Sequence, residues 1–421
     1  MGKSSGGSNG NRTTLPSYLC PKLRIFFSLD IVGSTAYKQG ASISKLRPGK
    51  SGGEELDVKK NVSDIHPAWF RAVSEFYRVS QQLMRDSWQE ITEANSRYIE
   101  GLTQNGANSG RKKPVKDEGF PLGDPPGFWK AVGDEVIFTK ILTHPFQVRI
   151  CMHVWTGVLA KVRENLQRHH KSLNVKSSAW LAGFPVSNTE FIFRFDSKPS
   201  IENDSPFESI ADLEEFSQDS ADKIYDRKSG MIKDFIGPSI DSGFRIAQHA
   251  TTEKMTLSIE LAYLLAHVIE NVGNNYFDKL SLPKQPIEFG YTAGVTLKGV
   301  LGGAPYPIFW IDIHTTGKLR KAELQLTGES NRNPKHVKEF AKAFIDLHPD
   351  YLSIPYIKGS ADLGVIPPAH EERMIKLTKT YQLYLAEKVN KEGVAQDLSD
   401  SNDFGESITT LKPKIVLKLK S

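Results

Sequence analysis

Two aspartates are the residues whose type and setting point most directly to chemistry. Asp30 lies near the end of the apolar, β-leaning run from Leu23 to Val32, and Asp134 follows Gly133 between two short strands predicted over 128–138. Carboxylates held at strand ends can bind magnesium, which prefers oxygen ligands and is often shared with substrate phosphates. The alternative is that each is a turn aspartate that hydrogen-bonds nearby backbone, a common arrangement for Asp beside Gly.

Several other kinds of site lack the residues they need. Gly2-Lys-Ser4 lacks the upstream glycines of a phosphate-binding loop, Gly237-Pro-Ser-Ile-Asp241 lacks the second glycine of a nucleophile elbow, and no His-Glu-x-x-His occurs. The two cysteines, Cys20 and Cys151, are far apart and have no metal-ligand spacing. This argues against a disulfide framework or a structural zinc site and favours a reducing, cytoplasmic location.

Four segments in chain order carry a pattern that resembles one enzyme family, the class III nucleotide cyclases. Phe27-Ser-Leu-Asp-Ile-Val-Gly-Ser-Thr35 and Lys130-Ala-Val-Gly-Asp-Glu-Val136 resemble the two metal-binding motifs of that family. The segment 234–245, Asp-Phe-Ile-Gly-Pro-Ser-Ile-Asp-Ser-Gly-Phe-Arg, resembles its Asp-x-x-Gly-x-x-Val-Asn-x-x-x-Arg signature, with Ile240 for Val and Asp241 for Asn. Leu297-Lys-Gly-Val300 is similar to the Leu-Lys-Gly that precedes the last core strand.

The resemblance implies roles for individual residues. Asp30 and Asp134, with the backbone carbonyl of Ile31, would hold two Mg²⁺ or Mn²⁺ ions on a nucleoside triphosphate. Arg245 would stabilise charge developing at the α-phosphate, and Lys298 would neutralise the β- and γ-phosphates. The alternative for Lys298 is an ordinary lysine at a strand edge.

The base-reading residues of adenylate cyclases are matched here by Lys130 and Asp234, although Lys130 could also be a solvated hairpin residue. In the family, the base-reading groups and the arginine face one site while the metal-binding aspartates face another. The resemblance therefore implies a head-to-tail homodimer with two sites, each completed by both subunits.

Three segments resemble, more narrowly, the Pycsar pyrimidine cyclases of bacterial anti-phage defence. They are Ser178-Ala-Trp-Leu-Ala-Gly-Phe-Pro-Val-Ser-Asn188, the segment 237–245, and Gly303-Ala-Pro-Tyr-Pro-Ile-Phe-Trp310. The implied reaction converts UTP, or CTP, to the 3′,5′-cyclic monophosphate and pyrophosphate. The implied product is a second messenger for antiviral defence that acts on a separate effector protein.

Two residues bear on the choice of base. Tyr37, seven residues after Asp30, could fill the space that a purine would occupy, or it could simply pack under the first helix. Asp241 could accept the N3–H of uracil, or it could orient Arg245. UTP is favoured on this basis.

Two other functions remain open from the sequence. One is an adenylate cyclase making cyclic AMP, because the adenine-reading pair is retained. The other is an inactive nucleotide-binding regulatory module, against which the retention of both aspartates and of Arg245 argues.

The elements that must position these residues indicate an α+β fold. The resemblance implies a ferredoxin-like βαββαβ class III cyclase core with helical insertions and a helical C-terminal extension. Apolar periodicity predicts helices over 66–98, 145–170, 334–347 and 371–389, a strand or loop over 234–242, and a helix from 243 to about 270 that is interrupted near Thr251.

The chain is longer than one ordinary domain of about 100–200 residues. We expect a flexible leader at 1–21, a catalytic domain at 22–315 and a helix-rich extension at 316–421. Asp30 and Asp134 are 104 residues apart, farther than in the common cyclase core, which indicates an insertion at about 40–127.

The overall charge and hydropathy argue against two classes of partner. The net charge of +5 is spread over 421 residues and does not form the concentrated basic face of a nucleic-acid-binding protein. No apolar run approaches the roughly 18–20 residues that span a bilayer, so no membrane partner is expected.

Overall fold

The structure of the protein is a computed structural model that describes residues 19–44, 68–108, 122–194, 224–226, 231–272, 287–313, 322–323, 325–326 and 332–400. Its principal elements are β1 (Lys22–Val32), α1 (Ser34–Ser44), α2 (Ala68–Asn108), β2 (Gly127–Val132), β3 (Glu135–Leu142), α3 (Gln147–His169), β4 (Asn174–Phe184), β5 (Thr189–Arg194), β6 (Tyr225–Asp226), β7 (Met231–Ile236), α4 (Pro238–Ala247), β8 (Lys254–Leu257), α5 (Ile259–Val272), β9 (Phe289–Thr296), β10 (Pro305–Asp312), α6 (Pro334–Leu347) and α7 (Pro368–Asp400).

The central feature is a seven-stranded sheet with the order β2-β3-β1-β4-β8-β10-β9. Neighbouring strands are antiparallel except for β4 and β8, which are parallel. The first four strands follow the chain order β1, helices, β2, β3, helix, β4, which is the ferredoxin-like βαββαβ arrangement. The predicted α+β fold is confirmed.

Strand β1 lies inside the sheet, and its alternating side chains enter two different cores. Leu23, Ile25, Phe27, Leu29 and Ile31 face the larger core with α2, α3, α5 and α6. On the other face, Phe26 belongs to a separate cluster with Trp129, Ile137, Trp180 and Phe235. Because successive residues of a strand point to opposite faces, Ser28 and Asp30 share the face of Phe26.

A three-stranded sheet of order β5-β7-β6 and helix α4 cover part of this second face. Glu190 of β5 is buried there among three cations. Its carboxylate lies 2.8 Å from Lys22 Nζ, 3.0 Å from Arg24 Nε and 3.9 Å from Lys233 Nζ. Burial alone would raise the pKa of Glu190, but the three cations outweigh it and lower that pKa to about 2.

Helix positions differ from the prediction in two places. A helix, α1, begins directly after Gly33, where no helix is predicted from the sequence. The predicted helix start at 243 is wrong, because α4 begins at Pro238. The predicted interruption near Thr251 is confirmed, and it contains the short strand β8, which separates α4 from α5. Proline favours the first helical turn, and a four-residue strand is too short to show a periodicity in the sequence.

The predicted domain boundaries stay a prediction. Residues Pro16–Glu371 form one compact unit, and the described part of the second unit, 372–400, is helical throughout. Of the predicted leader and insertion, residues 1–18, 45–67 and 109–121 lie outside the described residues. Among the described helices, none is both long enough and apolar enough to cross a membrane.

We expect Glu190→Gln to lower the free energy of unfolding at pH 7 by about 3 kcal/mol, because it removes the charge of a buried carboxylate that lies within 4 Å of three cations. Glu164→Gln, which removes an exposed partner of Arg168, is the matched control and should cost less than about 1 kcal/mol. Denaturant unfolding followed by circular dichroism measures both changes.

The same pair of proteins tests the pH dependence. Since the pKa of Glu190 lies below its ordinary value of 4.5, its stabilising effect is present above pH 4.5 and is lost as the pH falls towards 2. Between those limits, wild type should lose stability more steeply than Glu190→Gln. Parallel slopes for the two proteins would contradict the assignment.

Candidate functional site

The structure brings Asp30 and Asp134 together at one end of the central sheet. Gly133 and Asp134 form the two-residue turn between β2 and β3, and Gly133 has φ of +67°, which suits the first position of a type II′ turn. Strand β3 then pairs with β1, so that Asp30 lies directly opposite Glu135. The backbone N–H of Ile31 donates to the backbone carbonyl of Asp134 at 3.4 Å.

Helix α1 supplies two partners for the Asp134 carboxylate. Ser34 Oγ donates to Asp134 Oδ2, and Lys38 Nζ lies 3.3 Å from Oδ1. Ser34 and Lys38 are four residues apart and therefore share one face of the helix. The first turn of α1 thus fixes the orientation of this carboxylate.

Asp30 lies between an acid and a base on its two neighbouring strands. On one side is Glu135, and on the other Lys176 of β4 is its register partner, with Nζ 3.3 Å from Asp30 Oδ2. Burial raises the pKa of Asp30, Lys176 opposes this rise, and the charge of Asp134 adds to it. Acids directly opposite each other in a sheet are mutually destabilising, so this arrangement favours a bound cation.

Glu135 is a third carboxylate of the site that the sequence interpretation did not single out. Ser28 Oγ donates to Glu135 Oε1. Burial raises the pKa of Glu135, the bond from Ser28 opposes the rise, and Asp30 and Asp134 both add to it.

A cleft of about 230 Å³ opens beside these carboxylates on the second face of the sheet. Lys176, Ser28 and Ser178 lie on one side, and Phe244 and Gln248 lie on the other. Ser178 is buried, and its hydroxyl has no hydrogen-bond partner among the described residues. A buried hydroxyl without a partner is costly, so the cleft fits a polar ligand.

The helix of the predicted insertion reaches this end of the sheet. Tyr77 of α2 donates its hydroxyl to the backbone carbonyl of Gly133, and Lys38 Nζ lies 5.9 Å from the ring centre of Trp69. The insertion therefore supports the turn that carries Asp134.

Lys130 and Asp234 form a second charged group, as their matched family positions implied. Lys130 Nζ lies 2.9 Å from Asp234 Oδ1, and both side chains are partly exposed. No described hydrogen bond or ion pair joins this pair to Asp30 or Asp134 in one subunit.

Helix α4 carries Asp241 in its first turn and Arg245 in its last. The spacing places both on one face of the helix. Among the described residues, neither side chain has an ion-pair or hydrogen-bond partner. The helix packs closely on β4, because a Cβ at Gly243 would lie 2.3 Å from the indole of Trp180.

Lys298 is not brought near the aspartates within one subunit. It follows β9, which is four strand spacings from β1, roughly 19 Å. Strand directions also place the C-terminal end of β9 at the end of the sheet where β1 begins, whereas Asp30 lies where β1 ends. Lys298 is exposed.

Tyr37 lies in α1, where its hydroxyl is 3.0 Å from His170 Nδ1 and its ring packs edge-on against that imidazole. It also contacts the larger core. The structure does not bring it together with Lys130 and Asp234 in one subunit, and its role beside a base stays a prediction.

The donor set at Asp30 and Asp134 fits a hard divalent cation such as Mg²⁺ or Mn²⁺, which takes oxygen ligands. Among the described residues, no group of three or more His, Cys, Asp or Glu side chains is arranged to hold a metal ion by itself. A cation here would therefore need further ligands from water or phosphate, and the role of the Ile31 carbonyl as a ligand stays a prediction.

Signals for some of the missed residues are present in the sequence. Glu135 adjoins Asp134, while Ser34 and Lys38 have helical spacing directly after Gly33. The contribution of Lys176 depends on the register of β1 with β4, which no local pattern reveals.

Comparison with known proteins gives structural similarity without sequence similarity. No protein-family model matches the chain, and no curated protein matches it. Among solved structures, the adenylyl cyclase CyaB from P. aeruginosa aligns at 12% identity with a TM-score of 0.33, over 69% of this chain and 94% of that one.

Two guanylyl cyclases align in a similar way. Cya2 aligns at 9% identity and TM-score 0.30, over 74% of this chain and 98% of its own. The guanylate cyclase domain of RhGC from Catenaria anguillulae, solved with GTP, aligns at 8% identity with a TM-score of 0.30, over 69% of this chain and 96% of that one. At such low scores these similarities carry no conclusion about chemistry.

We expect two substitutions to change Mn²⁺ affinity in opposite directions. Asp30→Asn removes a ligand charge and should weaken binding, whereas Lys176→Met removes a competing cation and should tighten it about fivefold. The free Mn²⁺ signal in electron paramagnetic resonance measures both. Asp350→Asn, at an exposed position away from the site, is the control. Unchanged or weaker binding by Lys176→Met would contradict the proposed cation position.

Proposed function

We propose that this protein is a nucleotide cyclase of class III type, acting on a nucleoside triphosphate. The observation that carries the proposal is the convergence of Asp30 and Asp134 at one end of the sheet, where Asp30 lines a polar cleft. They are the two residues that the motif resemblance assigns to metal binding. The separate Lys130–Asp234 pair supports it, as does Arg245, which has no ion-pair or hydrogen-bond partner in the part of the chain that the structure describes.

The reaction forms a bond between the ribose 3′-oxygen and the α-phosphorus, breaks the bond from the α-phosphorus to the oxygen that bridges to the β-phosphate, and releases pyrophosphate and the proton of the 3′-hydroxyl. Two Mg²⁺ or Mn²⁺ ions held by Asp30, Asp134 and the Ile31 carbonyl would supply Lewis-acid polarisation. Arg245 stabilises charge at the α-phosphate through its planar fork, with Asp241 beside it on α4. Lys298 neutralises the outer phosphates.

The active form is a head-to-tail homodimer. In one subunit, Lys298 follows the edge strand β9, four strands away from β1, and lies at the opposite end of the sheet from Asp30, so the two cannot contact the same triphosphate without a second copy. A two-fold symmetric pair would place the phosphate-binding lysine of each subunit towards the aspartates of its partner.

The substrate is a pyrimidine nucleotide, with UTP favoured over CTP. This part rests on the narrower resemblance to the pyrimidine cyclases. That resemblance also suggests a cytoplasmic second messenger for antiviral defence that acts on a separate effector protein. Lys130 can donate a hydrogen bond and Asp234 can accept one. Each of the four bases carries both an acceptor and a donor on its edge, so this pair could bind any of them. Discrimination would therefore depend on the size of the pocket, where Tyr37 and Asp241 remain the proposed contributors.

One observation favours a second candidate. The ion pair between Lys130 and Asp234 is intact, and this pair matches the adenine-reading positions of adenylate cyclases. An adenylate cyclase making cyclic AMP is therefore the alternative.

Purified protein incubated with each of the four nucleoside triphosphates and Mn²⁺ should form cyclic UMP as the main product, or cyclic CMP, as measured by mass spectrometry. Asp30→Asn should lower the rate by about 100-fold or more, because a charge that holds the cations is lost. Asp350→Asn is the control. Cyclic AMP as the main product would establish the alternative, and nucleotide binding with no cyclic product would indicate a regulatory module.

A mixing experiment tests the shared sites. Asp134→Ala and Arg245→Ala should each be inactive. When the two variants are mixed in equal amounts and allowed to exchange subunits, the mixture should recover about a quarter of wild-type activity. Half the dimers are then mixed, and each has one intact site of two. Mixing Asp30→Ala with Asp134→Ala is the control and should recover nothing. Equal recovery in both mixtures, or none in either, would exclude the proposed head-to-tail arrangement.

A further inference from the structure

One oxygen of Asp234 receives three hydrogen bonds. The indole Nε1 of Trp129, the ammonium of Lys130 and the backbone N–H of Phe235 all donate to Asp234 Oδ1, each at 2.9 Å. A carboxylate has about four acceptor positions over its two oxygens, so Oδ1 is fully used. Oδ2 has no described hydrogen bond and is the oxygen left for a ligand.

A local irregularity of β2 allows two consecutive residues to reach the same carboxylate. The register with β3 shifts between Phe128 and Lys130, which identifies a β-bulge at Trp129. In a regular strand, Trp129 and Lys130 would point to opposite faces. A bulge re-aims a side chain, and here it directs both towards Asp234.

Trp129 also contacts the cation of the pair. Lys130 Nζ lies 4.1 Å from the centre of the indole ring, within the range of a cation–π interaction. The indole is nearly fully buried and packs edge-on against Phe26 at 5.3 Å and Phe235 at 5.1 Å between ring centres. The ring is therefore held rigidly, and through its N–H and its π face it restrains both charged groups.

We propose that Trp129 is the positioning residue of the base-reading pair: its indole N–H and ring hold Asp234 and Lys130 so that Asp234 Oδ2 faces the base. This inference rests on the proposed function. Without the indole donor, the carboxylate can rotate and exchange its two oxygens, and the directional acceptor is lost.

Trp129→Phe tests the proposal, because it keeps an aromatic ring and removes the N–H. The matched control is Trp180→Phe in the same aromatic cluster, where the indole N–H has no hydrogen-bond partner among the described residues. Steady-state kcat and KM are measured for all four nucleotides, and thermal unfolding is measured for both variants.

Trp129→Phe should lower the ratio of kcat/KM between the preferred nucleotide and the next best by about tenfold, mainly by raising KM, as expected for a lost hydrogen bond to a charged group. Trp180→Phe keeps an aromatic ring against Gly243 and removes no described hydrogen bond, so it should leave that ratio unchanged, whatever its effect on stability. An equal fall in both variants, or an unchanged ratio in Trp129→Phe, would overturn the proposal.

Equilibrium dialysis with the same nucleotides separates this inference from the proposed function. If wild type forms no cyclic product, the proposed function fails, yet Trp129→Phe should still bind its preferred nucleotide about tenfold more weakly than Trp180→Phe. Equal affinities of the two variants, or no binding by wild type, would overturn the assignment of Trp129.

Discussion

The site depends on the pairing of β1 with two antiparallel neighbours at once. That pairing sets Asp30 between Glu135 on one strand and Lys176 on the other. The backbone ladders of three strands enforce the crowding of the two acids, so the side chains cannot relieve it by moving apart. Burial is the main cause that raises the pKa of Asp30, the charge of Asp134 adds to the rise, and Lys176 offsets only part of it. The register of the sheet therefore concentrates negative charge at this end of β1.

Every second side chain of β1 faces the same side of the sheet, and the side chains on the second face have different roles along the strand. On the second face, Arg24 holds Glu190, Phe26 enters the aromatic cluster, and Asp30 borders the open cleft. Each step of two residues advances about 6.5–7 Å along the strand. The stabilising ion cluster, the packing that supports Trp129 and the candidate catalytic carboxylate therefore occupy fixed positions relative to each other.

Strong local patterns predicted much of this fold. The continuous apolar run around Phe26 is typical of a strand buried on both faces, and the spacing of apolar residues after residue 66 predicted α2. Strand β8 was missed because it has four residues and gains its identity from pairing with β4 and β10. Segments whose structure is decided by distant partners leave little trace in local sequence.

The same distinction holds for the site. Asp30, Asp134, Lys130 and Asp234 were singled out because their motifs resemble those of a known family in type and order. The contributions of Lys176 and Trp129 were not predicted. The position of Lys176 depends on cross-strand register, and that of Trp129 depends on a bulge that redirects a side chain. Neither feature can be read from residue type or spacing.

The contact between Gly243 and Trp180 determines how α4 can sit on the sheet. Because the helix backbone rests against the indole where no side chain intervenes, a rotation that brought Ser242 or Phe244 to that point would lift the helix away. The helix can therefore pack on the sheet in only one rotational orientation about its axis. Arg245 lies two residues farther along the same helix, so the contact between Gly243 and Trp180 also fixes where the helix backbone places this residue.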